Sequence, residues 1–302
     1  MRLPNFLVIG AARSGTTTLH YSLGRHPEIF VSPIKETNFF LNDDAGALPA
    51  WVDEVTRRQT PRTLRDYAAL FEDAAAHHTA VGESSPSYLH GPVARRIKAR
   101  LPEVKLVAIL RQPVEQALSF YATWHDGRPP TADQIDEFVS ALASDASEPQ
   151  GALPLAKHGL YHRHLAPFFE HFERRQIKVT LLDDLERDGA AYFRDLFRFL
   201  GVDEGFQLET VERYNGSGIA RSATIHRLLS RGTRVKGLAR AVLPDRAFRR
   251  LARLKHGMRA ANLQRTSPLS PELRRQLTQR FYGEDIAALE KLLGRDLSVW
   301  TH

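Results

Sequence analysis

Residues 10 to 19, GAARSGTTTL, set a glycine-bearing turn directly behind the apolar run FLVIG. Such a turn between a strand and a helix points several backbone N–H groups at one place. Arg13, Ser14, Gly15, Thr16, Thr17 and Thr18 would add a guanidinium, close backbone approach and hydroxyl donors, a set suited to phosphate oxygens. In nucleotide-triphosphate enzymes this loop carries a Lys that reaches the outer phosphates, and its Ser or Thr holds magnesium. Here Thr16 stands where that Lys would be, and LLDD at 181–184 is the nearest approach to a magnesium-holding strand end. A donor with a single 5′-phosphate, cleaved at a bond beyond it, would need only one cation near the breaking bond and no metal. Arg13 would supply that cation. A phosphotransferase using ATP and magnesium is the competing reading.

A second anion site is written in ILRQPVEQALSFY, where Arg111 ends an apolar run and Ser119 follows eight residues later. A guanidinium offers a forked pair of donors to a phosphate dianion. A hydroxyl two turns into the next helix completes the site if that helix folds back beside the strand end. Group transfer to an alcohol also needs a base, and the candidates are Glu36 in IKETNFF, Glu83 in GESSPSYL, His20 and His125. The plainer reading makes Glu36 a surface acid paired with Lys35, Arg111 a sheet cap and Ser119 a packing residue.

The two motifs together resemble the sulfotransferases that use 3′-phosphoadenosine-5′-phosphosulfate (PAPS). That family has Lys or Arg before a Ser/Thr-Gly-Thr-Thr turn, matched by Arg13-Ser14-Gly15-Thr16-Thr17. It also has an Arg at a strand end with a Ser on the following helix, matched by Arg111 and Ser119. In the members that modify heparan sulfate and related carbohydrates, a Glu just upstream of a Phe-Phe pair is the base. KETNFF puts Glu36 in that place, with Phe39 and Phe40 as the pair, and the ending LGRDLSVW is similar to the same branch.

The resemblance implies a P-loop-like, doubly wound α/β fold with a mostly parallel central sheet flanked by helices. It further implies PAPS as sulfuryl donor, 3′,5′-adenosine bisphosphate (PAP) as product and no required metal. Arg13 would stabilise charge on the donor's bridging oxygen. Glu83 is the second choice for the base or an acceptor contact, with a structural role at the strand end as its plainer reading, and Trp124 and His125 would face the acceptor. Relatives close a basic, Gly-containing loop over the 3′-phosphate; Arg221 in YNGSGIARS and Arg265 in QRTSP are the candidates here, without the usual Lys-Gly pattern. The acceptor would be a small molecule, carbohydrate or lipid bearing a hydroxyl.

The elements that must position these groups alternate along the chain. FLVIG (6–10), the residues around TAVGE, VKLVAIL (104–110) and IKVTLL (177–182) read as strands, and continuous apolar runs of that length suit a sheet covered on both faces. Helical spacing appears at 63–74, 92–101, 134–144, 161–175 and AYFRDLFRFLG, and in a helix that starts with Pro113 in its first turn. The tail from Pro271 reads as two helices. Strands separated by helices in this way predict one doubly wound domain spanning 1–302, with a basic helical excursion at about 225–262.

The 302 residues contain no cysteine, which excludes thiolate metal sites and a thiol nucleophile and fits a reducing, cytoplasmic compartment. No apolar run approaches the roughly 18 to 20 residues of a bilayer span. The net charge of +7 is concentrated between Arg231 and Arg259, where ten Lys or Arg face one acid, Asp245. A block of this kind is a solvated helical face, a docking surface for an anionic acceptor, or an amphipathic helix lying on an anionic membrane. No recognition motif accompanies it, so nucleic acid is not the favoured partner.

Overall fold

Five parallel strands form the central sheet of the computed structural model, in the order β2-β3-β1-β4-β5. They are β1 (Phe6–Gly10), β2 (Ile29–Val31), β3 (Ala80–Ser84), β4 (Lys105–Leu110) and β5 (Ile177–Leu181). The structure describes residues 2–42, 47–49, 52, 54–125, 130–145, 153–208, 219–220, 263–264 and 268–301. All five residues of β1 and of β3 are buried, as are the last five of β4. Alternate residues therefore serve two separate cores. Leu7, Ile9, Leu106, Ala108 and Leu110 join one apolar cluster, while Phe6, Val8, Val107 and Ile109 join the other.

Helices cover both faces, which is the doubly wound arrangement the alternating pattern predicts. On the first face lie α4 (Ala94–Arg100), α5 (Pro113–Trp124), α7 (Tyr161–His171) and α10 (Pro271–Leu293), contributing Ile97, Leu118, Leu165 and Leu289 among others. On the second lie α1 (Thr16–Leu23) and α9 (Gly189–Leu200), through Leu19, Leu23, Leu196 and Phe197. The remaining α-helices among the described residues are α2 (Glu54–Gln59), α3 (Leu64–Ala69), α6 (Ile135–Ala143) and α8 (Leu182–Arg187). A short antiparallel pair, β6 (Ile219–Ala220) with β7 (Leu263–Gln264), stands apart from the main sheet.

Two details differ from the pattern read in the sequence. The tail is one 23-residue helix, α10, followed by a 3₁₀ turn at Ser298–Trp300, rather than two helices. Gly294, with φ 62, ends α10, and the Leu297 amide then donates to Glu290 Oε1 at 2.7 Å. That folds the last residues back so that Leu297 and Trp300 are buried without a second helix. The run IKVTLL leaves the strand at Leu181, because Leu182 opens α8 with Asp183 and Asp184 in its first turn.

Sheet order matters more for function than any single element. The chain runs from β1 to the edge strand β2, returns to β3 beside β1, then crosses to β4 on the other side of β1. The loops after β1 and β4 therefore part at a topological switch point, where open α/β sheets leave a crevice at the carboxyl ends of their strands. The β1–β4 register slips by one between Val8 and Gly10, an irregularity of the kind that re-aims a strand end beside a site.

Candidate active site

The turn after β1 carries Arg13 with φ 63 and Gly15 with φ 99. Positive φ is inexpensive for glycine and costly for most other residues, so Gly15 marks where the chain swings from strand into α1. Glycine offers no side-chain cap, and the first amides of α1 face the turn with no such acceptor from that position. Ser14 and Thr16 are buried here, as is Thr18 further along α1, whereas Thr17 is half-buried. Arg13 does not stay with its own loop: its Nε donates to Ser119 Oγ on α5 at 3.0 Å. Gln116, one turn earlier on α5, donates to the carbonyl of Ala12 at 2.9 Å.

Arg111 follows β4, and Gln112 then caps α5 by accepting the Glu115 amide at 2.8 Å. The Arg111 Nη2 donates to Glu115 Oε2 at 3.1 Å, and the guanidinium is 11% exposed. Its other terminal nitrogen, Nη1, is buried with no hydrogen-bond partner among the described residues. Burial pulls the guanidinium below its ordinary range, and Glu115 is the first of the neighbours that oppose this. Tyr161, at the start of α7, ties the two loops together. Its hydroxyl donates to the Arg111 carbonyl at 2.8 Å, and burial pushes it up while the Ser14 side chain works against that.

Glu36 lies on the turn between β2 and the 3₁₀ helix Phe39–Leu41, where both Glu36 (φ 64) and Asn38 (φ 54) adopt the left-handed region. The turn is held from β3 by backbone and hydroxyl contacts. The Glu36 amide donates to the Ser84 carbonyl at 2.9 Å and the Asn38 amide to Ser85 Oγ at 3.1 Å. Asn38 Nδ2 closes the turn on the Glu36 carbonyl at 3.1 Å. The Glu36 side chain is 52% exposed and pairs with Lys35, whose side chain is mostly covered. Burial raises Tyr21 on α1, and the Glu36 charge adds to it.

The structure moves Glu83 out of the acceptor-facing group. Glu83 is fully buried, with Oε1 accepting from Tyr67 at 3.3 Å and Oε2 from Ser85 Oγ at 2.7 Å. Burial pushes its carboxyl up, while hydrogen bonds from Ser85, Tyr88, Thr37 and Tyr67 work against that. Tyr88 in turn accepts the Phe40 amide at 3.3 Å, so the cage around Glu83 braces the 36–40 turn from beneath. An acid in this position organises hydroxyls and does not meet an acceptor. Tyr67→Phe strips one of these donors and is expected to destabilise the fold by about 1–3 kcal/mol, read by urea unfolding, with affinity for PAP unchanged.

His20 is likewise inside, with Nδ1 against Ser84 Oγ at 3.0 Å; burial first, and then the Lys35 charge, bring it down to about 3. At neutral pH it is an uncharged and weak base. His125 ends α5 stacked on Tyr121 at 4.1 Å between ring centroids. Trp124 closes the same helix, but its side chain, Arg221, Arg265 and the segment 231–259 lie outside the described residues. Asp183 accepts the Trp300 indole N–H at 3.1 Å, and Asp184 pairs with Arg295 at 2.7 Å. The acids of LLDD are thus engaged by the C-terminal tail.

Of the residues read from the sequence, the fold gathers Arg13, Ser14, Gly15, Thr16, Arg111 and Ser119 at the ends of neighbouring strands β1 and β4, with Glu36 beside the end of β3. Sequence reading missed Tyr161, Gln116 and Glu115. Glu115 was visible in principle as an acid four residues after Arg111, in the first turn of the helix that follows it. Nothing local marks Tyr161, because its partners lie 50 positions away and more.

Comparison with known proteins agrees with this geometry. A model described as the sulfotransferase family matches residues 4–206. The chain is 26% identical over 223 residues to the bifunctional heparan sulfate N-deacetylase/N-sulfotransferase 1 of Caenorhabditis briggsae, covering 71% of this chain and 24% of that protein. It is 28% identical over 204 residues to the heparan sulfate glucosamine 3-O-sulfotransferase 3B1 of Mus musculus, covering 67% of this chain and 47% of that protein. The matches thus span a quarter to a half of these relatives' length. Among solved structures, a sulfotransferase from Alicyclobacillus acidocaldarius aligns over 100% of both chains, with TM-score 0.65 and 27% identity.

Proposed function

Because this chain belongs to the sulfotransferase family, we propose that it moves a sulfuryl group from PAPS to a hydroxyl of a sugar, glycolipid or secondary metabolite. One observation carries the reading: Arg13 Nε reaches Ser119 Oγ at 3.0 Å. The first-turn cradle and the cradle past β4 are thereby adjacent, close enough to hold the two phosphate ends of one adenylate. The residues suit that donor, since Arg111 Nη1 is a buried cationic donor with no partner among the described residues, and a phosphate oxygen would satisfy it.

PAPS, when bound, supplies the sulfuryl group and leaves as PAP. The chain's own residues do the rest. The amides and hydroxyls of Ser14 to Thr18 hold the 5′ end, with Arg13 setting a fixed positive charge beside the bond that breaks. Arg111 and Ser119 hold the 3′-phosphate. Glu36, on its braced turn and exposed to the acceptor side, takes the hydroxyl proton onto its carboxylate. Positioning and charge stabilisation dominate, as in phosphoryl transfer.

The relatives' names point to carbohydrate acceptors, so a sugar hydroxyl is the first class to screen. A cytoplasmic location, a single domain, and contact between the basic segment 231–259 and an anionic membrane or acceptor are parts of the proposal that rest on sequence alone. Calorimetry tests the core of it. PAP should bind in the presence of a chelator, and magnesium-ATP should not compete for the site. Tight magnesium-ATP binding with no response to PAP would replace this reading by a kinase.

A further inference from the structure

Glu115 stands between two arginines, and only one of them belongs to the strand-end motif. Its Oε2 accepts from Arg111 Nη2 at 3.1 Å. Its Oε1 faces Arg274 Nη1, on the first turns of α10, at 4.0 Å. That separation is too long for a hydrogen bond, and Oε1 has no hydrogen-bond partner among the described residues. The arrangement leaves two buried atoms of opposite character unsatisfied, Glu115 Oε1 and Arg111 Nη1. Buried polar atoms are normally paired, and charged ones most of all. A pair of orphans inside one cluster indicates a missing third party.

Arg274 is held in register with this cluster. Gln112, the residue next to Arg111, donates through Nε2 to Thr278 Oγ1 at 2.6 Å. Thr278 lies one helical turn beyond Arg274 on α10 and returns a hydrogen bond to the Arg274 carbonyl at 2.7 Å. Ser270 caps that helix by accepting the Leu273 amide at 3.1 Å, and Pro271 opens it. The stem of Arg274 is therefore fixed relative to Arg111, while its side chain remains 36% exposed against 11% for Arg111. One guanidinium is sunk in the protein and the other reaches the surface. Glu115 is the carboxylate in direct contact with Arg111, and the charges of Glu186 and Asp183 also bear on that guanidinium. Asp183 accepts from the Trp300 indole and Asp184 pairs with Arg295, so neither has a hydrogen bond to Arg111 or Arg274.

We propose that Arg274 is a further binding residue for the donor's 3′-phosphate, closing on it opposite Arg111, with Glu115 as the carboxylate that keeps the two guanidiniums apart until the phosphate enters. The proposal rests on the PAPS reading above. A phosphate dianion brings enough acceptor oxygens to take Arg111 Nη1 and the outward donors of Arg274 together, which a monodentate carboxylate oxygen cannot do. It also supplies a basic group from the C-terminal part of the chain, within the described residues, for the role that the sequence left between Arg221 and Arg265.

Calorimetry with PAP and with adenosine 5′-phosphate, which lacks the 3′-phosphate, tests this directly. Arg274→Ala should weaken PAP by about 10- to 100-fold, the usual loss for a charge-assisted hydrogen bond, and leave adenosine 5′-phosphate within about twofold. Arg274→Gln, which keeps most of the stem, should show the same selective loss; urea unfolding of both variants reports whether α10 is intact. PAP affinity unchanged in both variants, or equal weakening of the two nucleotides, overturns the proposal. A wild-type protein that does not distinguish PAP from adenosine 5′-phosphate overturns the PAPS reading itself, and this inference with it.

Discussion

Glu36→Gln is expected to lower sulfuryl transfer by about 10²- to 10⁴-fold, the range for a lost general base, while PAP affinity stays within about twofold. The geometry makes the substitution clean. The turn is fixed by the Glu36 amide on Ser84, the Asn38 amide on Ser85 and Asn38 Nδ2 on the Glu36 carbonyl, none of which involves the carboxylate. What disappears is the proton acceptor and a surface ion pair with Lys35, and such pairs contribute little to stability. Turnover is read with labelled PAPS across hydroxylated acceptors, beginning with sugars. A variant that turns over at nearly the wild-type rate removes Glu36 from the chemistry. The substitutes are then few, because Glu83 is sealed in its hydroxyl cage and His20 is brought down to about 3 by burial. Among the candidates named from sequence, that leaves His125.

How much of this was legible beforehand depended on whether the signal was local. β1 and β4 are central strands with both faces covered, so every position favours an apolar side chain and the runs stand out. The turn after β1 was legible because the swing from strand into helix demands a glycine with positive φ at one place. β2 was not, since three residues at an edge of the sheet are too few to show a period. The cage around Glu83 was hidden for a different reason. The acid is tolerated inside because Tyr67, Tyr88 and Thr37 arrive from other parts of the chain to solvate it. Tyr161 and Arg274 were invisible on the same ground: each acts on Arg111 or Glu115 across a distance in sequence that only the packing of α10 against α5 and α7 closes.

Arg111→Ala is the sharpest single test of the donor site. The variant should lose PAP affinity by about 10²- to 10³-fold, as removal of a buried, hydrogen-bonded charge commonly costs 2–5 kcal/mol in binding. The fold should persist, because the residue's backbone contacts do not use the side chain: Tyr161 still donates to the position-111 carbonyl, and Gln112 still caps α5. Some stability will go, since Glu115 is left facing only Arg274 at 4.0 Å. Urea unfolding separates that loss from the binding effect. Arg111→Lys is the informative companion, for it keeps the charge and loses the fork. Affinity for PAP midway between wild type and Arg111→Ala would show that two directed donors, and not positive potential alone, hold the 3′-phosphate. Adenosine 5′-phosphate, which never meets this group, should bind all three proteins alike. PAP affinity that survives Arg111→Ala removes the second cradle, and without it the contact between Arg13 and Ser119 is no more than packing between a loop and a helix.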